Sequence, residues 1–375
     1  MDVAQLTGSL IGFDTVSPPG NEEACARFIA DCLKDMHIEG ASVELHRFAP
    51  GRANLVATLR GESPGLLLAG HIDVVPPGES SAWSSPPFEG RTRDGRVYGR
   101  GAADMKGGIA AMLVAIESAK RKRLKRSLSF VATAGEEVGF DGLRALLAGK
   151  RLEGVAARCG VVGEPTEMKV VRGHRGTVTC RVTVHGRSAH ASDPSLGINA
   201  IEKTVAFIEK LGPLRRELSK AVDADLGRTI VTPTVIGGGT KGNVIPDSCE
   251  LTIDARTIPG HDGRTILEGL GAVAESLHKR DKDFTADIEV LYETLPLSVA
   301  RSEEVVKLGE ALTGSDSVIA PFGTEAPDYC RLGIPTVVLG PGSVRQAHIY
   351  DEFVTLEQLE LAETVYRELI TDVCT

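Results

Sequence analysis

A short apolar run, Leu66 to Ala69, ends in Gly70-His71-Ile72-Asp73, and a helix-like segment from Asp104 to about Lys120 then leads to a second apolar run at Ser127 to Thr133. Strand, helix and strand in this order form a βαβ unit, which commits the chain to a largely parallel sheet with helices on its faces. His71 and Asp73 point the same way, because residues two apart on a strand share a face. That is the geometry of a metal-ligating imidazole supported by a carboxylate. Asp104 stands in a Gly-rich turn just before the helix, where its carboxylate can be offered to a cation.

The rest of the chain extends this plan. Pro18-Pro19-Gly20 reads as a turn and Asn21 as the cap of a helix carrying Ala24, Phe28, Ile29, Cys32 and Leu33 at helical spacing. Strands are expected at Ser42 to Arg47, Asn54 to Arg60 and Gly65 to Ala69, and a further apolar strand ends at GEPT. From Gly176 the pattern changes to alternating strands with two intervening helices, Gly197 to Leu211 and Gly263 to Lys279, ending on a strand from Ala286 to Leu291. The order β-α-β-β-α-β predicts a ferredoxin-like antiparallel sheet with both helices on one face. Strand ends rich in reactive side chains resume at TEAPDYC, TVVLGPGS and AHIYDEFV, before a closing helix from Leu356. The expected architecture is therefore an α/β domain, residues 1–173 and 288–375, with a mixed, mostly parallel sheet flanked by helices. An α+β domain at 174–287 interrupts it.

Composition narrows the function. With 42% hydrophobic and 25% charged residues, the 375-residue chain has the balance of a soluble globular protein. A net charge of −9 argues against nucleic acid as a partner, and the basic stretch at 120–126 reads as the solvated end of a helix. Seven cysteines without a CxxC pair predict reduced thiols. The opening MDVAQLTGSL lacks the pattern of a secretory signal, and no apolar run reaches the ~18 residues needed to span a bilayer. A cytoplasmic protein without a membrane partner is the expectation.

His71, Asp104, the pair Glu136-Glu137, Glu164 and His348 all fall at predicted strand ends or turns. Open α/β sheets bind ligands at the carboxyl ends of their strands, so residues far apart in sequence can converge there. Nitrogen and carboxylate donors without thiolates suit zinc, or manganese and cobalt in its place. Two histidines and three carboxylates are too many for one tetrahedral catalytic zinc, and three negative charges balance two divalent ions and one hydroxide. Of the adjacent pair Glu136 and Glu137, one can ligate while the other moves protons. Taken alone, such a pair is a solvated acidic turn and His71 a structural histidine; their shared strand-end setting reverses both readings. YGRGAAD lacks the third glycine of a dinucleotide fingerprint, which disfavours a nucleotide cofactor.

In this order GHIDVVPPG, YGRGAADMKGG, TAGEEVGFDG, GEPT and AHIYDEF resemble the two-metal amidohydrolase family that includes acetylornithine deacetylase, succinyl-diaminopimelate desuccinylase, aminoacylase and carboxypeptidase G. The resemblance spans almost the whole chain, inserted domain included. It implies a zinc-peptidase-like catalytic domain with two Zn2+ per chain, Co2+ or Mn2+ being able to substitute. His71, Asp104 and Glu164 would hold one metal, and Asp104, Glu137 and His348 the other, with Asp104 bridging. Asp73 would orient His71, Glu136 would be the general base and acid, and a cis peptide would follow Asp104.

In the inserted domain SAHAS implies that His190 stabilises the oxyanion in the active site of a partner subunit, in a homodimer formed through that domain. GNVIPDSCELTIDAR implies that Asn243 and Arg256 bind the substrate's carboxylate, and GTEAPDYC adds Gly323, Thr324 and Glu325 to the substrate set. Glu325 is expected to face a cationic substrate side chain. The implied activity is hydrolysis of an N-acyl amino acid, N-acetylornithine first. Succinyl-diaminopimelate, another acylated amino acid or a dipeptide is the alternative. A non-catalytic binding homologue would be expected to lack a ligand or the base, and here all are present.

Overall fold

The computed structural model describes residues 2–121 and 123–375. Lys122, within the basic stretch read as a helix end, lies outside them; the helix before it stops at Ser118 and a 3-10 turn spans Ala119–Arg121. The chain forms two compact units. The first comprises Met1–Arg172, Val299–Val318 and Thr324–Thr375, the second Gly173–Ser298 and Ile319–Gly323. The second unit thus ends beyond the expected limit at residue 287, which falls inside a strand, Thr285–Thr294, paired along its length with Gly176–His185. A bulge between Val290 and Tyr292 breaks the side-chain alternation there, which is why the pattern stops short of the real strand end.

In the first unit, whose limit at Arg172 falls inside β6, the strands β1 (Ala41–Ala49), β2 (Arg52–Leu59), β3 (Ser63–His71), β4 (Arg126–Thr133), β5 (Ala157–Val162), β6 (Val171–His174) and β7 (Thr336–Val338) lie in the order β1-β2-β4-β3-β5-β7-β6. The four neighbours β4, β3, β5 and β7 are mutually parallel, while β1, β2 and β6 run antiparallel to their neighbours. Their shared direction places the ends of β3, β4 and β5 on one edge. Leu66 to Ala69 are wholly buried, as a continuous apolar run in a parallel sheet covered on both faces should be.

Helix α1 (Val3–Ile11) and helix α3 (Leu356–Cys374) both pack on α2 (Gly107–Ser118). Every residue of α2 from Gly107 to Ile116 is buried, so this helix is apolar all round. A Cβ on Gly108 would stand 2.3 Å from the carbonyl oxygen of Gly163, so glycine is what lets α2 approach the turn after β5.

In the second unit four antiparallel strands follow the order Ile230–Gly238, Ser248–Thr257, Gly176–His185, Thr285–Thr294. This is the order expected for a ferredoxin-like sheet. Val178, Cys180, Val182 and Val184 alternate inward from one strand, Leu251, Ile253 and Ala255 from the next, into one cluster with helix residues Phe207, Ile266 and Leu270. The helix expected from Gly197 to Leu211 spans Ala200–Glu209, and a further helix, Leu211–Leu218, follows it. Asn199 caps the first by accepting the amide of Ile201 at 3.1 Å. Among the described residues no helix is long and apolar enough to cross a membrane, and the seven cysteines are free.

Candidate metal centre

Strand β3 delivers His71 as its last residue. The turn after β4 carries Glu136 and Glu137, that after β5 carries Glu164, and Asp104 lies in the turn leading into α2. The peptide bond after Asp104 is cis. Gly135, with φ +74, adopts a left-handed conformation, and a Cβ on it would lie 2.3 Å from Nη2 of Arg52. That guanidinium is held by Glu22 at 2.8 Å and Asp141 at 3.1 Å. The turn that presents Glu136 therefore rests on a buried ion-pair network.

Asp104 stands between two imidazoles. Its Oδ1 lies 2.9 Å from Nε2 of His71, and its Oδ2 lies 3.3 Å from Nε2 of His348. Glu164 flanks the first imidazole at 3.6 Å and Glu137 the second at 3.0 Å. Ligand atoms of His71, Asp104 and Glu137 all lie within 4.8 Å of one another. His348 is held in the left-handed region at φ +63, a conformation uncommon for a residue with a side chain and frequent at functional sites.

The carboxylates and imidazoles compensate one another's charge, although His348 is half exposed. Burial lowers the basicity of His71, but Glu164, Asp104 and Asp73 outweigh it and hold the ring well above the usual imidazole range. Hydrogen bonds accepted by Asp104 and Glu137 push His348 up to about 10. Burial pushes Asp104 up, yet its bonds to His348 and His71 prevail and keep it well below the usual carboxylate range. Glu164 is pushed up to about 7 and Glu136 well above its ordinary value, both chiefly by burial. The donor set fits divalent cations: nitrogen and oxygen atoms of neutralising charge converge from both sides on one carboxylate.

Asp73 has a broader role than the sequence suggests. Nδ1 of His71 donates to the backbone oxygen of Asp73 at 3.0 Å and lies 3.6 Å from its carboxylate. That carboxylate instead accepts the backbone N–H groups of Glu136 at 3.0 Å and Glu137 at 3.2 Å.

The remaining residues divide between the units. Thr324 and Glu325 belong to the first unit and are buried; Glu325 is 1% exposed, and burial pushes it up to about 8. His190, Asn243, Arg256 and Gly323 belong to the second. There His190 pairs with Val244 in a two-stranded ribbon, and the amide of Ala191 donates to the Asn243 carbonyl at 3.0 Å, so His190 and Asn243 are neighbours. Nδ1 of His190 accepts the amide of Ser192 at 3.2 Å, which leaves Nε2 as the N–H donor of the neutral ring. Arg256 is exposed, with Nε donating to Asp254 at 2.9 Å and Nη1 to Thr177 at 3.0 Å. Sequence reasoning overlooked Glu352, although it lies in the same AHIYDEF segment as His348.

Residues 67–372 match peptidase family M20/M25/M40. The chain is 32% identical to the acetylornithine deacetylase of Proteus mirabilis over 98% of its own length and 94% of that protein's. It is 36% identical to the acetylornithine deacetylase of Pasteurella multocida over 86% of this chain and 84% of that one. The chain belongs to peptidase family M20/M25/M40. It is a metal-dependent amidohydrolase. Its M20 fold is shared with a metallo-carboxypeptidase from Sulfolobus solfataricus, at a TM-score of 0.79 and 18% identity, covering 99% of this chain and 98% of that one.

Proposed function

We propose that this M20 protein is a two-metal deacylase that hydrolyses an N-acyl amino acid, N-acetylornithine first, to a carboxylate and a free amine. The observation that carries the reading is Asp104, whose two oxygens each face a different imidazole. His71, Asp104 and Glu164 are assigned to one metal, and Asp104, Glu137 and His348 to the other. Zinc suits these donors, with cobalt or manganese able to substitute. When bound, two such ions polarise an acyl carbonyl and render a water nucleophilic at neutral pH.

The chain's own groups supply the proton traffic. Glu136 takes a proton from the attacking water and returns it to the leaving nitrogen, a task favoured by its raised basicity. Asp73 fixes the turn on which Glu136 sits. His190 offers its Nε2–H to the oxyanion of the tetrahedral intermediate in the active site of a partner subunit. Asn243 and Arg256 bind the carboxylate end of the substrate, Arg256 through a planar fork suited to bidentate contact, and Gly323 and Thr324 are also assigned to the substrate.

The choice of ornithine draws on the names of the curated relatives and on Glu325, assigned to the substrate's ammonium group. Because Glu325 is covered in this conformation, Glu325→Gln is its test: an unchanged preference for acetylornithine over acetylated neutral amino acids removes the assignment. This activity would serve arginine biosynthesis in the cytoplasm. A homodimer through the second unit is supported by its edge strand Ile230–Gly238, where Ile230, Val235 and Ile236 are exposed beside the exposed Ile201 and Val205 of the neighbouring helix.

The deciding experiment measures free amine released from acetyl-, succinyl- and formyl-amino acids, with added zinc or cobalt and with a chelator. Metal-dependent release, fastest from acetylornithine, is expected. Hydrolysis that survives the chelator overturns the two-metal reading, and a faster succinyl substrate overturns the choice of acyl group.

A further inference from the structure

Glu352 is wholly buried, and its carboxylate gathers four donors from one loop. Oε1 accepts the backbone N–H of Ala103 at 2.9 Å and of Asp104 at 3.1 Å. Oε2 accepts the N–H of Gly101 at 3.1 Å and Nη1 of Arg100 at 2.5 Å. The backbone contributes as well: the carbonyl of Glu352 accepts the amide of Gly99 at 2.9 Å, and the following Phe353–Thr355 pairs with Arg96–Tyr98. Gly101, at φ +87, turns the chain so that its own amide and those of Ala103 and Asp104 face one anion, the concave arrangement that binds negative charge.

These contacts end at the residue whose side chain matters most. A peptide N–H held in place fixes the plane it belongs to, and with it the direction in which the next Cα–Cβ bond leaves the chain. We infer that Glu352 is the positioning residue of Asp104, setting its carboxylate so that one oxygen faces His71 and the other His348. An ordinary structural carboxylate would need only its Arg100 partner. Here three of the four donors are backbone amides of the Asp104 loop. Glu352 acts through Asp104, by way of the loop amides it holds. The inference rests on the two-metal reading of the centre.

The test is a cobalt titration without substrate, followed by visible absorption and by the rise in melting temperature that the metal produces. Wild-type protein that takes up no metal defeats the two-metal reading itself. In Glu352→Gln a carboxamide N–H2 replaces one acceptor and opposes the loop amides. Cobalt affinity should then fall about 10- to 100-fold, and the metal-induced rise in melting temperature should shrink accordingly. A purely structural role would lower the melting temperature of metal-free and metal-loaded protein alike and leave that rise intact; this result, or wild-type affinity, overturns the inference. Glu352→Asp, which keeps the charge but withdraws it by one methylene, should fall between the two. Should neither variant fold, hydrogen exchange on metal-free wild-type protein decides: the amides of Gly101, Ala103 and Asp104 should be protected before any metal is added, and free exchange there overturns the inference.

Discussion

The carboxylate of Asp73 accepts the backbone amide of Glu136 at 3.0 Å, so the residue expected to steer an imidazole also holds the turn that carries the proposed base. Asp73→Asn would set an N–H2 group against one of two amides that now share a carboxylate. Such supporting partners typically contribute about 10- to 100-fold. The expected result is a fall of that size in kcat with KM little changed, read from steady-state kinetics at saturating metal. A change confined to KM would place Asp73 on the substrate side instead.

Glu136 and Glu137 should separate cleanly. Glu136→Gln is expected to lower kcat by about 10²- to 10⁴-fold, the range of general acid–base catalysis, while bound metal measured by elemental analysis stays at the wild-type level. Glu137→Gln should instead lose metal. Equal metal loss in both variants would remove the division of roles.

Removing Arg52 exposes the cost of the network beneath Gly135. Glu22 is wholly buried and pairs with Arg52 at 2.8 Å. Breaking a buried pair from one side leaves an uncompensated charge and costs about 3–5 kcal/mol. Arg52→Met should show that loss in chemical denaturation; a change under about 1 kcal/mol would mean that the pair behaves as an exposed one.

Acid should weaken the fold partly through His174. Burial lowers this imidazole to about 4, against about 6.5 in an unfolded chain. Between these values the unfolded chain binds more protons, so the contribution is complete above about pH 6.5 and lost as the pH falls through about 4. It is worth about 3 kcal/mol. His174→Gln should flatten the pH dependence of the denaturation midpoint over that interval, and parallel curves for variant and wild type would exclude His174 as the source.

Much of the centre was legible because parallel strands advertise themselves. Leu66 to Ala69 form an uninterrupted apolar run, and the residue at its end has only one place to be. His71, Glu137 and Glu164 were readable for the same reason. Glu352 was not, because its partners lie about 250 positions earlier and no local pattern reports which distant amides a buried carboxylate will meet. The bulge at Val290 was hidden differently: it interrupts the alternation without a strong breaker, so the strand reads as ending early. Gly212-Pro213 reads as a stop, which hides the helix Leu211–Leu218 that carries the proline in its first turn.

The first unit leaves off at Arg172 and resumes only at Val299. During synthesis His71, Asp104, Glu137 and Glu164 therefore emerge from the ribosome well ahead of His348 and Glu352. A nascent chain carries a crowd of acidic groups with a single histidine among them, and the loop bearing Asp104 lacks its clamp. The proposed centre can be completed only after residue 352 has been made, so a chain released from translation before that point would carry most of the assigned ligands and still have no finished site.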